Sequence, residues 1–240
     1  MALALFCTAV ALPAHANVIV ANTRVIFPAK AGEVTVRLSN DNDTPALIQA
    51  WMDNGDPKAT PETANVPFLV TPPIFRMNPH KDQSLRIIGA PSSLPADRET
   101  LFWLNVLEIP PRPTSQQLAD KNYLQLSIRS RMKFFYRPAN LPGEPAKAPD
   151  TLTWKEVKTD TGYALEVHNP SPYYITVVGT DVGVGDSALQ TTDPAMVAPF
   201  GTQRVSFPRL DVVLPAGTSI RFRTIDDFGG VDSHESRLTP

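Results

Sequence analysis

Few residues of this 240-residue chain have types that do chemistry, and most of those sit at spacings that do none. His80, His168 and His234 lie far apart, with no HExxH or nucleophile-elbow spacing among them, so neither zinc hydrolysis nor a Ser–His relay has a constellation. Gly183, Gly185 and Ala188 follow a strand-like run in a G-x-G-x-x-A pattern. That pattern needs a helix behind it to hold a pyrophosphate, and SALQTTDPAMVAP is too short and proline-bounded, so a flexible loop is expected. Asn42-Asp43-Thr44 matches a glycosylation acceptor but reads equally as a polar turn. Neither an enzyme, a metal site, a cofactor nor a small-molecule substrate is expected.

The segment with binding chemistry is Asn122 to Pro138, NYLQLSIRSRMKFFYRP. Leu124, Leu126 and Ile128 alternate with Gln125, Ser127 and Arg129, and a cationic patch of Arg129, Arg131 and Lys133 follows. This is a β-strand with an apolar row and positive charge at its end. It is either ordinary core or a template for a partner's strand and a partner's carboxylate. Pattern alone favours the first reading, with one face on the core and one in water. Pattern alone also makes Arg24, isolated in NTRVIFP, and Lys133 solvated surface charges, and nothing in the spacing pairs them.

Around that segment, short apolar runs bounded by Pro, Gly, Asn and Asp predict an all-β protein, because 25 prolines leave no room for long helices. Strands are expected over Asn17–Phe27, Glu33–Leu38, Ala46–Met52, Ser84–Ile88, Leu101–Ile109 and Tyr123–Tyr136. Pro138 to Asp150 holds four prolines and few apolar residues, and reads as a semi-rigid linker. A second set of strands follows: Leu152–Val157, Tyr163–His168, Tyr173–Gly179, Thr202–Phe207 and Ser219–Ile225. Two β-sandwich domains joined near residue 140 are the economical reading.

The first sixteen residues are apolar and end in Ala14-His15-Ala16, a pattern for signal peptidase cleavage after Ala16, although no basic residue follows Met1. Asn17 to Arg24 interrupts the run short of the ~20 residues that a spanning helix needs. The only cysteine, Cys7, would leave with this leader, so the mature chain would have neither thiol nor disulfide. A net charge of −2 gives no global basic footprint for nucleic acid.

The chain also resembles a known family, the PapD-like periplasmic pilus chaperones, along its whole mature length. The resemblance is carried by Thr23-Arg24, Ser39-Asn40-Asp41-Asn42, Gln49-Ala50-Trp51, Thr71-Pro72-Pro73-Ile74-Phe75-Arg76 and Asp97-Arg98-Glu99-Thr100-Leu101-Phe102-Trp103. Leu107-Glu108-Ile109-Pro110-Pro111, Lys133-Phe134-Phe135-Tyr136-Arg137-Pro138, Asn169-Pro170-Ser171-Pro172-Tyr173-Tyr174 and Asp226-Asp227-Phe228-Gly229-Gly230 complete it.

The resemblance implies two immunoglobulin-like sandwiches set at an angle with a cleft between them: residues 17–138, a linker 139–150, and residues 151–240. It implies that Arg24 and Lys133 anchor the terminal carboxylate of a pilus subunit, and that Leu124, Leu126 and Ile128 fill the subunit's open groove by strand addition. It implies an interdomain charge cluster of Glu99, Arg137 and Asp227. Partners would be pilus subunits and an outer-membrane usher, in the periplasm, with no nucleic acid. Self-association of the unliganded chaperone is a secondary expectation. The short Pro111–Tyr123 connection resembles the short-loop branch of the family, and the Pro72-Pro73 step offers a place for a cis bond.

Three features stay unreconciled. Period-two alternation puts Lys133 on the face opposite Leu124, Leu126 and Ile128, so a bulge or strong twist is expected between Ile128 and Lys133. The ending VDSHESRLTP is too polar for an ordinary last strand, so a weak or missing edge strand is expected. The fold would also suit an extracellular two-domain adhesion or receptor module, which has no reason to carry Arg24 and Lys133 together. A pilus subunit is a poorer fit, needing a single incomplete sandwich.

Overall fold

Alternation of apolar and polar residues in runs of about four to ten is the signature of a strand with one face on a core, and strands make up just over half of the described residues. The computed structural model describes residues 18–89, 94–112, 125–160, 162–183, 188–207 and 213–240.

In the first half, β1 (Ile19–Val20), β3 (Glu33–Asn40), β7 (Lys81–Gly89) and β5 (Phe68–Thr71) form one sheet in the order β1-β3-β7-β5. A second sheet runs β2 (Arg24–Pro28), β9 (Ile128–Arg137), β8 (Thr100–Ile109), β4 (Ala46–Asp53), β6 (Ile74–Met77). Val36, Leu38, Leu85 and Ile87 of the first sheet meet Phe27, Ile48, Leu104 and Phe134 of the second in one buried cluster. Phe68, partly buried, packs against it, edge-on to Phe27, Phe102 and Phe134. Gly89 makes room for it, since a Cβ there would lie 2.7 Å from the Phe68 ring. The cis peptide bond in the β5–β6 corner is Thr71–Pro72, one step before the expected Pro72–Pro73.

The second half has its own core, built on Trp154, Leu165, Val167, Val197 and Ile220. Its strands are β10 (Thr153–Thr159), β11 (Gly162–His168), β12 (Ile175–Val182), β13 (Leu189–Thr191), β14 (Ala195–Val197), β15 (Thr202–Ser206), β16 (Ser219–Ile225) and β17 (Val231–Thr239). The proline-rich stretch is not extended throughout. Pro145–Thr151 winds into a 3-10 helix whose Ala148 belongs to the second core.

Two expectations are corrected here. The last strand is neither weak nor missing: β17 pairs with β16 from Ser219↔Arg237 to Ile225↔Val231, and with β10 at Trp154↔Leu238. It tolerates its polar sequence because most of it faces solvent. His234, partly buried on its inner face, is satisfied: it stacks on Phe222, and its ring nitrogens bond Asp150 Oδ1 at 2.8 Å and Thr224 Oγ1 at 2.9 Å. The glycine pattern is followed by strand β13, not by a helix, and Gly185 itself lies outside the described residues.

Candidate functional site: a cation pair at the end of an open strand edge

The position of Arg24 and Lys133 follows from strand pairing. β2 runs parallel to β9 in the register Arg24↔Lys133 through Pro28↔Arg137. The two cations, 109 residues apart in sequence, are therefore neighbours across one strand pair. Neither is a solvated surface charge, because the second domain covers them. Arg24 is 7% exposed, and its Nη1 donates to the Ile225 carbonyl at 3.0 Å. Lys133 is partly buried, with Nζ 3.3 Å from Thr176 Oγ1.

Neither cation forms a salt bridge with a carboxylate among the described residues, and Arg24 Nε is buried without a hydrogen-bond acceptor. Burial pushes the Lys133 ammonium below its ordinary range, and the Arg24 charge pushes it further. Burial likewise works against the Arg24 guanidinium, partly offset by Asp227, Asp226 and Glu99. Two desolvated like charges held side by side are unfavourable until an anion joins them, and a carboxylate would accept charge-assisted hydrogen bonds from both. A cavity of about 140 Å³ opens beside Arg24, walled by Phe135, Tyr174, Ile175 and Phe228.

β2 covers β9 only from Lys133 onward. Among the described residues, Ile128–Met132 pair with β8 on one side and with no strand on the other. Leu126 and Ile128, 64% and 38% exposed, lie at the start of that open edge, whereas Leu124 lies outside the described residues. The expected bulge is absent. The β8–β9 register is continuous from Glu108↔Ile128 to Thr100↔Tyr136. Ile128 thus shares a face with the core residues Met132, Phe134 and Tyr136, and Lys133 faces the other way into the cleft. The parity mismatch is real and needs no repair, since a strand at an open edge can use both faces.

The domains are fixed against each other just beyond. Arg137 Nε donates to Glu99 Oε1 at 2.6 Å, and its Nη1 and Nη2 donate to the Asp227 carboxylate at 2.6 and 2.8 Å. Glu99 also accepts from Tyr174 N–H at 2.7 Å, and its own N–H donates to the Pro172 carbonyl. Burial acts against Arg137, but two facing carboxylates outweigh it and hold the guanidinium charged; burial pushes the Glu99 carboxyl up. Gly229, at φ 91°, allows Thr23 to approach the 226–230 turn, where a Cβ would lie 2.4 Å from Thr23 Oγ1.

Sequence reasoning missed one network, on the cleft-side face of the same sheet. Asp53, fully buried, accepts from Arg131 at 2.6 and 3.1 Å, from Asn105 at 2.8 Å and from Gly55 N–H at 2.7 Å. Asn105 Oδ1 in turn accepts two bonds from Arg129, at 2.9 and 2.7 Å. Each guanidinium lies over an indole, Arg129 4.8 Å from Trp51 and Arg131 4.1 Å from Trp103. The available signal was period two: Arg129 and Arg131 on one strand, Trp51 and Asp53 on another.

Burial opposes the Asp53 charge, but its hydrogen bonds from Arg131, Asn105 and Gly55 prevail and hold the carboxyl below the usual range. The folded state therefore binds this proton less readily than the unfolded chain. Asp53 contributes stability that is full above the ordinary aspartate pKa and is lost as pH falls through its depressed value. Thermal unfolding measured from pH 6 downward should show a steeper loss in the wild type than in Asp53→Asn, which should be less stable near neutrality. Parallel curves would exclude this contribution.

Residues 17–142 match the family model "Pili and flagellar-assembly chaperone, PapD N-terminal domain", and residues 147–236 match "Pili assembly chaperone PapD, C-terminal domain". The chain is 42% identical over 229 residues to the chaperone protein FimB/FhaD of Bordetella pertussis, covering 94% of this chain and 89% of that protein. The crystal structure of the CupB2 chaperone of Pseudomonas aeruginosa superposes with a TM-score of 0.76 at 38% identity, covering 92% of this chain and all of that one. The SafB chaperone of Salmonella enterica, solved in complex with the SafA pilin, matches with a TM-score of 0.74 at 30% identity, over 96% of this chain and 99% of that one. Two immunoglobulin-like sandwiches together with these matches define the class as a pilus-assembly chaperone. The chain belongs to the PapD family of these chaperones.

Proposed function

We propose that this chaperone captures fimbrial subunits by lending them the open edge of β9. Arg24 and Lys133 hold the subunit's terminal carboxylate, and Leu126 and Ile128, with Leu124 ahead of them, fill the subunit's groove. The observation that carries this reading is the coincidence of two boundaries: the cation pair stands where β2 ceases to cover β9. A chain ending at Arg24 and Lys133 and lying along Ile128–Met132 takes the place that β2 leaves empty. It runs in the same direction as β2, and therefore parallel to β9. Backbone pairing supplies affinity, and each aliphatic side chain buried in the groove adds about 1.5–3 kcal/mol.

The domains are residues 17–138 and 151–240, with residues 139–150 linking them and Glu99, Arg137 and Asp227 setting their angle. Residues 1–16 act as an export signal cleaved after Ala16, and the site of action is the periplasm. Release occurs at an outer-membrane usher, by exchange of β9 for the next subunit's strand. Without a subunit, the same open edge is available for self-association. The SafB–SafA complex supports a subunit as the ligand. An adhesion module would have no use for a buried cation pair without an acid.

The test is periplasmic co-production with the subunits of the same organism. Wild-type protein should co-purify with a subunit, whereas Leu126→Asp should fold and recover none. Extending the subunit by a few residues past its natural C-terminus should abolish capture by removing the carboxylate from reach. Undiminished recovery of the extended subunit would sink the anchor, and full activity of Leu126→Asp would sink the donor strand.

A further inference from the structure

The open stretch of β9 has a physical problem that the Arg129–Asp53 network resolves. Among the described residues, Ile128–Met132 pair on one side only, and residues 125–127 ahead of them are not in a strand. A half-paired strand end exposing Leu126 and Ile128 should fray, and a frayed strand must be ordered again on every capture. Its side chains alternate. Ile128 lies on the even-numbered face, which runs into the core at Met132, and the odd-numbered Arg129 and Arg131 face the opposite side.

Both arginines are fastened there, and in the same sense. Arg129, registered opposite Leu107, leans one rung along to Asn105 and Trp51, and its Nη1 also donates to the Pro57 carbonyl at 2.8 Å. Arg131, registered opposite Asn105, leans one rung further to Asp53 and Trp103. Asn105 joins the two, donating its amide N–H to Asp53 and accepting from Arg129 at its oxygen. Trp51 is itself tied to the 53–59 turn through Nε1 and the Ala59 carbonyl, 3.2 Å apart.

We infer that Arg129 and Arg131, seated through Asn105 on the buried Asp53, are positioning residues that hold the open edge of β9 extended from its back, leaving its front free for the subunit. The inference rests on the donor-strand reading above. Its chemistry is the planar guanidinium fork, which stacks on an indole while donating two directed bonds. A lysine keeps the charge and loses both. The gain is preorganisation: a strand already extended loses less freedom on binding, so capture is faster and tighter without any new contact to the subunit.

The decisive variant is Arg129→Lys/Arg131→Lys, followed by amide hydrogen exchange in the free protein and by the rate of capture of the fimbrial subunit that co-purifies with wild type. Exchange at residues 129–132 should accelerate about ten-fold or more while the β10–β17 amides keep their wild-type protection. Capture should slow by a similar factor. Unchanged exchange at residues 129–132, or acceleration spread over the whole first domain, would overturn the positioning role. The two readings separate through Leu126→Asp. If that variant loses capture and the double-lysine variant captures at the wild-type rate, only the positioning role falls. If Leu126→Asp captures normally, the donor-strand reading falls with it.

Discussion

Replacing Lys133 with Met should make the unliganded protein more stable and leave it nearly unable to hold a subunit. In the free state Lys133 is desolvated, sits in register beside Arg24, and has in return one 3.3 Å hydrogen bond, donated to Thr176 Oγ1. Its folded pKa lies below the unfolded value, so the folded state binds fewer protons between the two. Stability of the free protein should therefore rise with pH through that window, the reverse of an ion-paired lysine. Lys133→Met removes the repulsion while keeping the aliphatic stem, so thermal unfolding should shift upward and lose this alkaline slope.

Capture should move the other way. Truncating one partner of a desolvated charge contact costs about 2–5 kcal/mol, so affinity should fall by at least about 30-fold. Calorimetry on the free variant, paired with subunit recovery, checks both. A destabilised variant would mean that the cation pair is structural, and normal recovery would mean that it is not the anchor.

The second large effect is expected at Arg137. It faces Glu99, whose side chain is 2% exposed, and Asp227, and it is the bridge between them. Arg137→Ala leaves a buried carboxylate uncompensated and should cost about 3–5 kcal/mol. Combining Glu99→Gln, Arg137→Met and Asp227→Asn should recover most of that stability, since replacing a buried ionic cluster wholesale is often nearly neutral. The triple variant should nonetheless lose the fixed domain angle, visible as a broader distance distribution in small-angle scattering, and with it part of its subunit capture. A cost below about 1 kcal/mol for Arg137→Ala would place the cluster among ordinary surface pairs.

Much of this was legible in the chain because strands advertise themselves locally. The alternation of Val34, Val36 and Leu38 and the run Leu101–Ile109 determine strands whatever their partners are. The apolar row with cations after it marked β9 as unusual, and the resemblance supplied Arg24, Lys133, Glu99, Arg137 and Asp227 as expectations. Errors clustered where burial depends on something distant. VDSHESRLTP reads as too polar for a last strand by composition, yet β17 forms between β16 and β10 because most of its side chains face solvent and His234 finds partners in Thr224 and Asp150.

What the sequence by itself determined, then, is most of the longer strands, the two-sandwich class, and an apolar row followed by positive charge; it did not foresee β5, β6, β13 and β14, and its single run Asn17–Phe27 is two strands, β1 and β2, in different sheets. What only the tertiary structure decided is that β2 runs parallel to β9, that it begins with Arg24 opposite Lys133, and that Ile128–Met132 before that point have no second strand partner among the described residues. The physical reason is that period-two patterning reports which face of a strand is apolar but carries no information about its edges. Hydrogen-bonded neighbours are chosen by backbone groups that every residue has alike, so which edge is left open emerges only when the sheets assemble.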